Sequence, residues 1–190
     1  MTILSKIRDY YPKHFMLAVG LIVLAVAAGN AVASNDSIAP FFGMFKGESV
    51  ADPRGLLTTK DIDIAIWQTH RGFAVNWHSV VVEKGATERA SHEVHFERTH
   101  TPGIYRAHRP PNIMGNARSP DPIDGHPYYW ARLVDNTLTV YLVQIAPDGS
   151  VDLRIYLRKL DGNQIQLKLT RMRDGQPLAT TYGVLMREEE

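Results

Sequence analysis

The chain contains no cysteine, so disulfides, thiolate nucleophiles and cysteine-based zinc sites are all excluded. Packing and hydrogen bonds alone must hold it together. Charge of one sign is scarce too. The formal net charge is +1 over 190 residues, and residues 1–33 hold Lys6, Arg8 and Lys13 against Asp9, which leaves about −1 on the 157 that follow. That balance provides no electrostatic footprint for nucleic acid, which calls for a basic patch on the folded domain. Beyond residue 33 there is no useful length of helical periodicity and no internal repeat. Nor is there a low-complexity segment, apart from the acidic tail Glu188 to Glu190. The composition, 44% apolar and 22% charged, is that of a folded globular domain with one core.

One apolar run stands apart. Lys6, Arg8, Lys13 and His14 precede Phe15 to Ala28, 14 residues that are short for a bilayer core about 30 Å thick. Ala31-Val32-Ala33 then forms a small-x-small site before the polar Ser34, Asn35 and Asp36, the three-part pattern of an export signal over residues 1–33. The competing reading is an uncleaved single-pass anchor, since Phe15 to Ala33 is 19 residues with only Asn30 strongly polar. In either case the basic residues stay cytoplasmic and the rest of the chain is expected on the far side, periplasmic or otherwise extracytoplasmic. If residues 15–33 are retained, they tie it to the inner membrane. Residues 34–40 then read as a linker, 41–187 as the folded domain and 188–190 as a tail.

The folded domain reads as strands. In Lys60 to Glu83, Ile62, Ile64 and Ile66 alternate with Asp61, Asp63 and Ala65, which puts the isoleucines on one face. A turn at His70, Arg71 and Gly72 leads to Phe73, Val75 and Trp77, alternating with Ala74, Asn76 and His78, so Trp77 is expected inside. Phe41 to Ser49 precedes this hairpin. Arg89 to Thr99 follows it after a connection over Glu83 to Glu88, and then comes a short strand, Ile104 to His108. From Tyr128 five further strand-like runs are separated by turn signals at Asp135-Asn136, Pro147-Asp148-Gly149, Asp161-Gly162-Asn163 and Asp174-Gly175. About ten antiparallel strands joined by short loops would leave two edges exposed in an open sheet. Closure into an up-and-down barrel removes them, with a two-sheet sandwich as the runner-up.

Gly43-Met44-Phe45-Lys46-Gly47, a Gly-x-aromatic-x-Gly in the first strand before a complete meander, resembles the calycin-like barrels: lipocalins, fatty-acid-binding proteins and nitrobindin-like domains. Phe45 stands where their motif has tryptophan. The resemblance implies a barrel whose interior or mouth holds an apolar small molecule, and some members serve instead as assembly modules. The haem-binding histidine that the nitrobindin-like branch carries late in its barrel has no counterpart, because no histidine follows His126. No cofactor is expected.

Candidate functional residues fall into two groups. The aromatics Phe73, Trp77, Phe96, Tyr105, Trp130 and Tyr182 are candidates to line a ligand site, or to fill the barrel with their hydroxyls paired. Arg109 to Pro127 holds five prolines and reads as a long loop, where His108, Asp121, Asp124 and His126 offer polar groups to a ligand or partner. His92 and His95, three apart on one strand, point to opposite faces and cannot share a metal ion, and no HExxH helix is present. No nucleophile elbow or paired acid and base marks an enzyme. Asp152, Arg154, Arg158 and Lys168 alternate with Leu153, Ile155, Leu157, Leu167 and Leu169. That pattern predicts the charged side in solvent and the leucine and isoleucine rows inside. Two functions are thus expected: an exported, non-enzymatic barrel binding an apolar or amphipathic small molecule, or an anchored accessory subunit whose barrel docks on a membrane protein complex.

Overall fold

A computed structural model describes residues 37–51, 58–83, 86–108 and 121–189. The expected signal or anchor over 1–33, and residues 109–120 of the long loop, lie outside them. Among the described residues no helix is long and apolar enough to cross a membrane. The described residues form ten strands: β1 (Gly43–Ala51), β2 (Thr58–Gln68), β3 (Gly72–Glu83), β4 (Ala86–Arg98), β5 (Ile104–His108), β6 (Tyr128–Val134), β7 (Thr137–Ile145), β8 (Val151–Asp161), β9 (Gln164–Arg173) and β10 (Gln176–Arg187). Each pairs antiparallel with its chain neighbours, and β1 pairs with β10, which closes an all-β up-and-down barrel with no free edge.

The boundaries follow local chemistry. β1 begins two residues later than expected because Ala39–Phe41 forms a 3-10 turn with Pro40 in its first positions, where a missing N–H costs nothing. The connection expected over Glu83 to Glu88 is shorter, since β3 runs through Glu83 and β4 starts at Ala86, the two pairing with each other at that end. Between β9 and β10, Asp174 (φ 48°) and Gly175 (φ 77°) both take the left-handed region that a two-residue type I′ hairpin demands.

The seam between β1 and β10 needs a residue without a side chain. A Cβ placed on Gly47 would collide with the backbone carbonyl of Val184 and sit 2.9 Å from the Cα of Leu185. Phe45, two residues earlier, is fully buried and lies under the guanidinium of Arg187, 4.5 Å from its ring centroid. Arg187 donates from Nη1 to the carbonyl of Phe42 and from Nη2 to that of Pro40 (2.7 Å), so the last strand holds the entry of the first. At this end of the barrel Ile38 and Phe41, beside the 3-10 turn, join Ile64, Ile66, Phe73, Phe96, Leu133, Leu138, Ile165 and Leu185 in a dry plug. Such fully buried side chains each contribute about 1.5–3 kcal/mol.

Candidate functional site

The alternation in β8 settles where the polar side chains go, and it runs opposite to the expected direction. Arg158 is fully buried, and Leu153, Ile155 and Leu157 are only half-buried. The cause is register. β8 and β9 are joined by two residues, Gly162 and Asn163, so Leu160 stands opposite Ile165, Arg158 opposite Leu167 and Tyr156 opposite Leu169. Residues directly opposite share a face, and Ile165 and Leu167 belong to the core. β7 repeats the constraint from the other side, with buried Leu138, Val140 and Leu142 opposite Arg158, Tyr156 and Arg154. Asp152, Arg154 and Arg158 are therefore on the inner face, not in solvent as their polarity suggested. Lys168 is outward as expected.

These side chains descend into the barrel from the end opposite the plug. Nearest that end, Asp152 accepts a hydrogen bond from Nη2 of Arg171 (2.9 Å) and faces Nε of Arg154 at 3.5 Å, an ion pair without hydrogen-bond geometry. Burial pushes the Asp152 carboxyl up, but the Arg171 hydrogen bond and the charge of Arg154 outweigh it and hold the group below its ordinary value. The Asp152, Arg154 and Arg171 side chains are 17, 30 and 39% exposed. Deeper lies an aromatic cage around Trp77, whose ring stacks on His92 (5.2 Å, 28°) and meets Tyr156 (5.3 Å) and Tyr129 (6.3 Å). Burial pushes the Tyr129 hydroxyl up to about 12, and burial followed by the charge of Arg154 lowers His92.

Arg158 ends the series. It is 0% exposed, its guanidinium lies 5.6 Å from the Trp77 ring and 5.4 Å from that of Tyr156, and its Nε and Nη1 have no hydrogen-bond partner. Loss of water pushes its pKa down to about 10, so it still carries its charge at neutral pH. Its ring neighbours attract a cation through their faces, and each such contact offsets only about 0.5–2 kcal/mol of the lost hydration.

The sequence-predicted residues divide between inside and outside. Phe73, Trp77, Phe96 and Tyr105 are buried, and Phe73 packs on Phe96 (5.0 Å) and Tyr105 (4.9 Å) within the dry plug. Trp77 alone of this set joins the polar cluster. Trp130 and Tyr182 do not line the interior. Trp130 stacks outside on Tyr141 (4.5 Å, 7°), and Tyr182 is more than half exposed with Nζ of Lys168 5.8 Å from its ring. Both fall on positions whose strand neighbours are the buried ones, and period two then turns them outward.

His108 faces Glu97 at 3.6 Å on the barrel surface, Asp121 caps the 3-10 turn Pro122–Asp124 by accepting from the Ile123 N–H, and Asp124 and His126 are exposed. His92 and His95 do point apart, His95 pairing with Glu93 (2.8 Å) while His78 pairs with Asp63 (2.9 Å). Among the described residues no group of three or more histidine, aspartate or glutamate side chains is placed to hold a metal.

No protein-family profile matches the chain, and no curated protein matches it. Among solved structures, Rv2717c from M. tuberculosis is similar at 14% identity and a TM-score of 0.49, covering 80% of this chain and 95% of that one.

Proposed function

We propose that the chain is an exported, non-enzymatic barrel that binds an amphipathic small molecule in its interior. The supporting observation is the lengthwise division of that interior: a dry apolar plug at one end, and towards the other an aromatic cage around Trp77 with charged side chains, from the fully buried Arg158 to the partly exposed Asp152, Arg154 and Arg171. An interior meant only to hold the barrel together would be apolar throughout, because each buried polar group without a partner destabilises the fold by about 1–3 kcal/mol. A ligand with an apolar body and a polar end fits such a graded lining. Organic extraction of the purified full chain, followed by mass spectrometry, is expected to release an amphipathic compound in near-stoichiometric amount. A chain that yields none, and that takes up no alkyl-chain compound when titrated, removes the reading.

A second reading, an anchored subunit whose barrel docks on a membrane protein complex, is favoured by the outer face of the seam. There Tyr182, Val184 and Met186 on β10 and Met44 on neighbouring β1 are about half exposed, an apolar row of the kind that marks contact surfaces. N-terminal sequencing separates the two. A mature chain beginning at Ser34 supports the exported binder, whereas Met1 to Ala33 retained in the membrane fraction supports the docked subunit.

A further inference from the structure

The outer wall around β7 is apolar where a barrel face turned to water is ordinarily polar. With Arg158 inside, period two turns Leu153, Ile155 and Leu157 outward, and register carries their apolar character onto the neighbouring strands. Across β6 to β9 one outward row runs Tyr128, Val143, Leu153 and Met172. The next runs Trp130, Tyr141 and Ile155, with the Trp130 ring flat on Tyr141 (4.5 Å, 7°) and Tyr128 6.3 Å away. Each of these side chains is half-buried, so together they form a continuous apolar surface. The third row changes character. It starts at Arg132 and ends at Lys168, with Thr139 and Leu157 between them, and Lys159 stands in the row after it. Arg132, Lys159 and Lys168 are exposed, and among the described residues no carboxylate pairs with any of the three. Arg106, beside Trp130, is held by Glu97, and the acids Asp135 and Asp161 lie at the turns beyond this belt.

We propose that this outer face rests on an anionic lipid surface, its aromatic and aliphatic rows entering the headgroup region while Arg132, Lys159 and Lys168 meet the phosphates. Tryptophan and tyrosine join an apolar ring to a polar edge, and such rings settle where hydrocarbon meets water. Long basic side chains at the margin of an apolar field reach anionic headgroups without leaving water. A second copy fits this face less well, because a twofold contact would set one basic belt near the other. A closed barrel also leaves no strand edge that a peptide could extend. The face is centred on β7, three strands from β10, so a chain resting on lipid here keeps the seam row free. The inference is independent of what the interior holds.

Because the chain has no cysteine, a single introduced one makes the test site-specific. In the full chain, Thr139→Cys carries a polarity-sensitive fluorophore where the apolar rows meet the basic belt. Asp63→Cys carries the same label on the outer side of β2, five strands from β7 in either direction round the ring. Each is titrated with vesicles of phosphatidylcholine alone and of phosphatidylcholine mixed with phosphatidylglycerol. The Thr139 label is expected to shift to the blue, and to need about tenfold less lipid when phosphatidylglycerol is present, while the Asp63 label keeps its aqueous emission. Arg132→Glu combined with Lys168→Glu should abolish the tenfold preference, and Trp130→Thr should raise the lipid required for either vesicle. Should the Thr139→Cys chain not fold, Thr170→Cys, in the row of Ile155, takes its place. Capture of the chain through residues 15–33 alone would leave both labels unshifted or shift them alike, and either result overturns the proposal. An equal response to the two vesicle types overturns it as well. A blue shift of the Thr139 label that grows with protein concentration in the absence of vesicles assigns the face to a second copy and likewise overturns it.

Discussion

The two ends of the barrel interior are built on opposite principles. Around Phe45, Phe73, Phe96 and Leu133 the inner face is dry and closely packed, each side chain stabilising the fold by what it removes from water. Around Arg158 the same strands bury a charge that the described contacts leave partly unmatched. One end maximises stability and the other gives some of it up, which is the signature of a region kept for something other than folding. Substitutions at the two ends should therefore move stability in opposite directions.

The largest effect is expected in the plug. Phe45→Ala removes a fully buried ring at the seam and should destabilise by about 3–5 kcal/mol, a large part of the total stability of a domain this size. Urea denaturation with the midpoint well below that of the parent checks it, and an unchanged midpoint would mean that the plug does not carry the fold. Next comes Arg158→Met, which replaces an unmatched buried charge by an apolar side chain of similar length. It should leave stability unchanged or raise it by about 1–3 kcal/mol, read as a melting temperature equal to the parent's or several degrees higher. A steep fall in melting temperature would show that the two ends do not differ as described.

The smallest effect concerns pH. His92 has its pKa lowered in the folded state, by burial and then by Arg154, so the unfolded chain binds this proton more readily. Its contribution to stability is then complete above the unfolded value of 6.5 and is lost as pH falls from there through the lowered folded value. His92→Gln should flatten the stability curve in that window while leaving the acid limb below it, where Asp152 and Glu97 with their lowered values protonate. Denaturant midpoints collected from pH 7.5 to 4.5 measure it. A His92→Gln curve parallel to the parent's would place that pH dependence elsewhere.

Much of the architecture is legible in the residues. β5, β6 and β7 begin and end where composition and turn residues place them, and the economy of edge closure leads to the ring of ten. Trp77 is inside for the reason its row suggests, opposite Ile64. The site was harder to see because a local pattern competed with a longer-range one. Taken alone, VDLRIYLRKL has a charged row and an aliphatic row, and hydrophobicity puts the aliphatic row inside. The information that reverses it was present in the two-residue turn after Asp161. With Leu167 and Leu169 inward, pairing across Gly162 and Asn163 brings Arg158 and Tyr156 to the same side. What no strand pattern conveys is that Trp77 of β3 reaches Arg158 of β8 across the interior, a contact made by closure rather than by neighbouring strands.

Arg187 has a bearing on how the chain comes to be folded. Its guanidinium grips the carbonyls of Pro40 and Phe42, and its strand pairs with β1 across more than a hundred intervening residues. As the polypeptide is made, the hairpins from β2 to β9 can zip up one after another as they emerge. β1 then waits with one edge bare until the final strand arrives. A chain lacking β10 is a ribbon with two unprotected edges, β1 and β9, able to add another copy at each, so the arrival of the last strand separates a closed ring from a seed for aggregation.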